Sequence, residues 1–300
     1  MNINTSTAYE DSDSLSLQKL EQYELIEQEF SRWQQCIESK CGLYFDKSRI
    51  SFLCTALLER INDLSLTGYD EYLRYLLYNN DAEREWKELY CRLVNCETSF
   101  FRHQPSFELL KEHIFPQVLE SRKNDIFKLL TVWSVGCSSG QEAYSIALNA
   151  LQSYDTDEYY TKIIGSDINL HLLKKARKGI YTKAEVKSLH PEYIERYLFP
   201  YNGSGTTYYK FRDEVKDLVS FNFINLVESN TYKVFPVDII FCQNVLFYFS
   251  KNRRLEIVYR LCEYLGKGGS LILGPSDILP ARINGMETEY INSNLVYRKL

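Results

Sequence analysis

The chain has 300 residues, 45% of them hydrophobic and 25% charged, an ordinary globular composition long enough for two domains or one domain with an appendage. No run nears the roughly 18–20 uncharged apolar residues of a membrane-spanning helix, and a net charge of −5 excludes a strong basic field for nucleic acid. That charge is concentrated: Glu10, Asp11, Asp13, Glu21, Glu24, Glu27 and Glu29 against Lys19 alone make the first 30 residues −6 and leave about +1 for the rest.

Residues 1–15 are rich in Ser, Thr, Asn and Asp and predict a disordered, acidic tail. The segment is polar and acidic and does not read as a secretory signal. From Leu17 to Ile37 apolar residues recur at Leu17, Leu20, Tyr23, Ile26, Phe30, Trp33 and Ile37, the intervals of an amphipathic helix. Further helices are predicted from Lys47 to Ile61, Tyr69 to Tyr78 and Asp81 to Val94, so residues 16–97 read as a helical N-terminal domain. The character changes beyond that point. Thr131 to Gly136 reads as a short buried strand, followed by a small-residue turn and a helix from Gln141 to Leu151. Lys162–Asp167 is a second strand, Leu170–Lys178 a second helix, Val237–Cys242 a third strand, Lys251–Leu265 a third helix and Ser270–Leu273 a fourth strand. Alternation of this kind predicts a doubly wound, mostly parallel α/β sheet over residues 98–300. Residues 180–222 break the alternation with a helix near Pro191–Leu198, a Gly203-Ser204-Gly205 turn and the strand-like Thr206–Phe211, and are read as a small β-rich insertion. In a small three-stranded sheet one edge is left open to an extended peptide, unless the 191–198 helix covers it. The chain closes on a predicted hairpin around Asn292-Ser293-Asn294.

The eight cysteines are scattered without a C-x-x-C pair, and none of the four histidines makes an H-x-x-x-H spacing. Free buried thiols in a reducing cytoplasm are expected, and no metal. Three stretches carry chemistry instead. Val135 to Glu142 turns from the first strand into a helix, with Gly136 and Gly140 letting a ligand approach the backbone, and the second strand ends on Asp167, at the distance of a carboxylate that grips ribose hydroxyls. The competing reading is a plain tight turn and an exposed acid. Phosphate-loop and dinucleotide glycine patterns are both missing. Thr98-Ser99-Phe100-Phe101-Arg102 reads either as core with a snorkelling charge or as site wall. The third stretch, Asp238 to Phe249, delivers Gln243, Asn244 and Tyr248 just past a buried strand.

In order, Thr98-x-Phe100-Phe101-Arg102, the Gly136-Cys137-Ser138-x-Gly140-x-Glu142-x-Tyr144-Ser145-Ile146-Ala147 stretch, Asp167, Asn225-Leu226 and Phe241-Cys242-x-Asn244-Val245-x-x-Tyr248-Phe249 resemble the chemotaxis-receptor methyltransferases of the CheR type across about residues 17–300. That resemblance implies a class I methyltransferase sheet, an all-helical N-terminal domain and a β-subdomain able to dock on receptors. It implies S-adenosylmethionine as cofactor, S-adenosylhomocysteine as product and glutamate side chains of a methyl-accepting chemoreceptor as substrate. The expected protein is a cytoplasmic monomer that meets the membrane only through its receptor. Glu142 and Asp167 are then expected to hold the methionine amino group and the ribose. Asn225 and Leu226 would flank the adenine, with Gln243 and Asn244 nearby and Gly136 in the turn. Cys96, Thr98 and Arg102 fall toward the methionine end, and Arg102 and Tyr248 near the transferred methyl, with Phe100 and Phe101 as dry walls.

Three positions depart from the family pattern: Cys96 replaces an asparagine, Gln243 an arginine, and Pro275-Ser276-Asp277 a histidine–serine–acid ending. An amide cannot present a guanidinium fork to a carboxylate. The departures leave room for a same-fold methyltransferase with another protein or small molecule as acceptor, or for a non-catalytic cofactor-binding scaffold.

Overall fold

In a computed structural model the described residues are 29–300, apart from 204–205, 229–235, 278, 280–282 and 292–293. The expected tail, the start of the first helix, most of the Gly203-Ser204-Gly205 turn and the Asn292-Ser293 turn therefore lie outside them. The chain divides into two compact units, Met1–Glu85 and Trp86–Leu300. None of the described helices is long and apolar enough to cross a membrane.

In the first unit, residues 29–41 form helix α1, followed by α2 (Ile50–Asp63) and α3 (Tyr69–Tyr78). Their apolar stripes meet: Trp33, Ile37, Leu53, Leu57, Tyr72 and Leu76 are buried, and the rings of Trp33 and Tyr72 lie 5.7 Å apart. A pair of opposite charges is buried as well. Arg60 forks onto Glu85 with bonds of 2.8 and 2.7 Å, and the Tyr72 hydroxyl donates to the same carboxylate at 2.7 Å. A bidentate pair with a third donor satisfies most of its lone pairs, which makes burial of the charge tolerable.

Helix α4 (Ala82–Leu93) carries the chain across the division. Next come α5 (Gln104–Leu109), a π-helical turn over Leu110–Ile114 and α6 (Phe115–Arg122). The sheet is then built from β1 (Leu129–Val135), α7 (Gln141–Ser153), β2 (Tyr160–Asp167) and α8 (Leu170–Lys178). The inserted subdomain follows with β3 (Ile180–Thr182), α9 (Pro191–Tyr197), β4 (Leu198–Gly203) and β5 (Thr206–Phe211). After α10 (Asp213–Lys216) the chain returns through β6 (Val219–Phe223), β7 (Val237–Cys242), α11 (Lys251–Tyr264) and β8 (Leu265–Leu273). It ends on the hairpin β9 (Met286–Ile291) and β10 (Asn294–Lys299).

The main sheet runs β6-β2-β1-β7-β8-β10-β9, parallel except where β10 meets β8 and β9. Nearly every residue of β1 and β7 is buried, as mainly apolar strands covered on both faces require. The chain winds outward from β1 through β2 to β6, then returns to the other side of β1 at β7. That reversal opens a crevice at the carboxyl ends of β1 and β7, where ligands of open α/β sheets bind.

Two readings of the insertion are corrected. The expected span 180–222 takes in residues 219–222, yet Val219–Phe223 is the edge strand β6 of the main sheet, paired in parallel with β2. The small sheet has the order β3-β5-β4, with Thr206–Phe211 at its centre, so the open edge expected of it cannot be that segment. The reason is local. Gly179 ends α8 in the left-handed conformation at φ 62° and returns the chain directly into β3, which pairs with β5 from the side opposite β4.

Candidate active site

Five segments converge on the crevice. The first is the turn after β1, where Gly136, Ser138 and Gly140 all have positive φ (71°, 52° and 94°). A methyl group at Gly136 would fall 2.3 Å from Val245 Cγ2, so this glycine is required by packing between two loops as well as by its backbone angle. Ser138 is a non-glycine residue in a sparsely populated region, and its N–H donates to Asp167 Oδ2 at 2.7 Å. Asp167 Oδ1 accepts from Asn169 N at 2.8 Å. The acid at the end of β2 thus fixes the turn after β1. Burial raises its pKa, against the pull of those backbone hydrogen bonds.

Glu142 stands in the first turn of α7. Among the described residues its carboxyl has one hydrogen bond, from Ser134 Oγ of β1 at 2.6 Å. Burial pushes its pKa up to about 8; the Ser134 bond and the positive charge of Arg102 pull it down, and the charge of Asp277 pushes it further up. Asn225, just beyond β6, is buried, with Nδ2 donating to Glu228 at 2.9 Å and Oδ1 accepting from Val227 N at 3.3 Å. Arg260 of α11 holds the same loop by donating to the carbonyls of Leu226 (3.4 Å) and Val227 (2.9 Å).

Past β7, Asn244 has φ 58°. The buried Asp277 carboxylate accepts from the N–H groups of Asn244 and Leu246 and fixes that loop. Gln243 is buried too, but its amide Nε2 donates to Ser106 Oγ at 2.7 Å. The Tyr248 hydroxyl donates to the Asn95 carbonyl.

The fifth segment is 95–106. Cys96 is half-buried; its carbonyl accepts from Ser138 Oγ at 3.2 Å, Asn169 Nδ2 approaches its sulfur at 3.6 Å, and burial pushes the thiol up to about 12, which makes it a poor nucleophile. Thr98 is half-buried and Arg102 exposed. The guanidinium of Arg102 donates to the Glu97 carbonyl at 2.8 Å and has no ion-pair partner among the described residues. Phe101, at φ 51°, donates its N–H to Ser145 Oγ of α7 at 3.0 Å. Phe100 does not wall the crevice. It is buried edge-on against Tyr181 (5.0 Å) and Phe211 (5.8 Å), so the core reading holds for it. Phe101 is half-buried and packs on Phe107 and Tyr193.

The carboxyl ends of β6, β2, β1 and β7 therefore present Asn225, Asp167, the Gly136 turn with Glu142, and Asn244 in spatial order, with Arg102 near Glu142. Ser134, Ser106 and Asp277 support this arrangement; the sequence singles out neither serine, and marks Asp277 only as part of a departure from the family ending. A buried carboxyl with one donor suits an ammonium group, and Asp167 keeps lone pairs free for hydroxyls after accepting two N–H bonds. A seven-stranded sheet of this order with acids after its first two strands defines an α/β methyltransferase.

A family model described as "CheR methyltransferase, SAM binding domain" matches residues 96–293, and one described as "CheR methyltransferase, all-alpha domain" matches residues 28–94. The chain belongs to the CheR methyltransferase family, and its cofactor is S-adenosylmethionine. It is 33% identical to the chemotaxis protein methyltransferase of Escherichia coli strain K12, over 88% of this chain and 89% of that one. The protein of the same name from Salmonella typhimurium is 30% identical over 91% of each chain. Chemotaxis protein methyltransferase 2 of Vibrio cholerae serotype O1 is 31% identical over 84% and 86%.

Proposed function

We propose that this methyltransferase esterifies glutamate side chains of a methyl-accepting chemoreceptor, as a cytoplasmic monomer with no nucleic-acid partner. The observation that carries the reading is Arg102: a guanidinium without an ion-pair partner among the described residues, beside the acid that suits the cofactor's ammonium. A cation so placed attracts a carboxylate. Bound S-adenosylmethionine supplies an electrophilic methyl on a sulfonium. Glu142 and Asp167 are proposed to hold its amino group and ribose, with Asn225, Leu226 and Asn244 toward the adenine and Cys96, Thr98 and Arg102 toward the methionine end.

Glutamate with its usual pKa of ~4.3 is already ionised at neutral pH, so no general base is required. The protein's work is placement of the carboxylate at about 3–3.5 Å and in line. Arg102 draws the carboxylate in, and Tyr248, anchored to the Asn95 carbonyl, ties the β7 loop to the Arg102 segment. The test is transfer of a radiolabelled methyl group to receptor-containing membranes. The label is expected to be released by mild base, as an ester is. A base-stable label, or labelling of another acceptor, would refute the glutamate assignment.

A further inference from the structure

Gln243 stands where the family pattern has arginine, and its side chain is committed elsewhere than the crevice. Its amide donates to Ser106 Oγ at 2.7 Å, and both residues are buried. Ser106 in turn donates to Asn294 Oδ1 at 3.1 Å, and Asn294 Nδ2 donates to the Pro105 carbonyl at 3.2 Å. With its one proton given to Asn294, the Ser106 hydroxyl can only accept from His103 Nδ1, which lies 2.7 Å away. His103 is thereby held with its proton on Nδ1. Ser106 and His103 begin the helix that follows Phe101-Arg102, and Gln243 precedes Asn244. On its other side the same turn is fixed to α7, by Phe101 N to Ser145 at 3.0 Å and by Asn149 Nδ2 to the Phe107 carbonyl at 2.7 Å.

We infer that Gln243 is a positioning residue, not a cofactor ligand: through Ser106 it sets Arg102 against the β7 loop. The inference rests on the proposed role of Arg102 in steering the acceptor carboxylate. Glu142 on α7 and Asp167 at the end of β2 keep their own partners when the link is cut. What moves is the cation that orients the acceptor, and a misplacement below 1 Å there costs about tenfold in rate.

A double-mutant cycle tests this with Q243A, S106A and the pair. Each single variant is expected to lose roughly tenfold in kcat on receptor membranes, with the cofactor KM within about threefold of wild type. The pair should lose the same tenfold, because one link is broken in all three. Labelling the four histidines with nitrogen-15 should show His103 leaving the Nδ1–H tautomer in S106A. A cofactor KM raised tenfold by Q243A with S106A silent would make Gln243 a ligand and overturn the inference. So would additive losses near a hundredfold, or losses that vanish when each variant is assayed well below its Tm. If the wild type binds S-adenosylhomocysteine but methylates no receptor, the receptor assignment falls separately. The same cycle read in S-adenosylhomocysteine affinity, together with the His103 tautomer, still decides between ligand and positioner.

Discussion

A carboxylic acid stripped of water keeps its proton, and Glu142 is the clearest case in this chain. Its pKa of about 8, against an ordinary 4.5, means that between those values the ligand-free folded protein holds a proton that the unfolded chain has lost. The stabilisation from Glu142 is therefore fully present below about 4.5 and is lost as pH rises through about 8. Cofactor binding has the opposite sign, because an ammonium group pairs with the ionised form. S-adenosylhomocysteine affinity should rise with pH up to about 8, by at most about tenfold per unit, and then level. E142Q should flatten both slopes, in calorimetric titration and in a melting series. A wild-type affinity that stays constant from pH 6 to 8 counts against Glu142 as the ammonium site. Arg102 behaves differently, since its exposed guanidinium rests on one backbone carbonyl. R102A is expected to shift Tm by less than the effect of about 0.5 kcal/mol typical of surface positions, while reducing single-turnover methylation at least tenfold. A melting loss that accounts for the lost activity would return Arg102 to a structural role.

Phe211 shows what the order of strands decides at the scale of elements. As the last residue of the central strand β5 it is fully buried, stacked on Tyr144 of α7 at 4.4 Å and edge-on to Phe100 and Tyr181. F211A should cost about 3–5 kcal/mol, read as a fall in denaturation midpoint. A cost below about 1 kcal/mol would mean that the subdomain is not packed onto α7. A peptide that docks by strand addition would have to meet β3 or β4, the edges of the small sheet. The spans of α3, α8, β5 and β7 can be read from the sequence to the residue: the two periodic helices lie between Gly68 and Asn79 and between Asn169 and Gly179, β5 is a β-branched and aromatic run ended by Arg212, and β7 is a mainly apolar run that follows Pro236. The stretch from Gln104 to Arg122 gave no such signal. Its π-helical turn at Leu110–Ile114 shifts the apolar stripe out of a 3.6-residue period, and prolines stand at 105 and 116. Strand β3 is only three residues long and β6 five, and each is defined by its pairing, β3 with β5 and β6 with β2, across intervening elements.

Across the whole molecule the same division separates what sequence shows from what it hides. Glu142 and Asp167 are legible because each follows its own strand. Ser106 reaches Gln243 from 137 residues away and Asp277 reaches Asn244 from 33, and no local pattern marks either. All of these residues, and every hydrogen bond described for the site, lie within the second compact unit. A chain beginning at Ala82, which keeps α4 whole, should therefore fold and bind S-adenosylhomocysteine within about threefold of the full-length affinity. Glu85 is the residue to watch. Its burial and its three donors come from Arg60 and Tyr72 in the first unit, so in the shortened chain it meets water and is not left as a buried unpaired charge. Circular dichroism would establish that the fragment is folded, and calorimetry would give its affinity. A folded fragment that has lost more than about tenfold in affinity would show that the first unit completes the cofactor site. Retained affinity with no receptor methylation would assign the first unit to the acceptor protein instead.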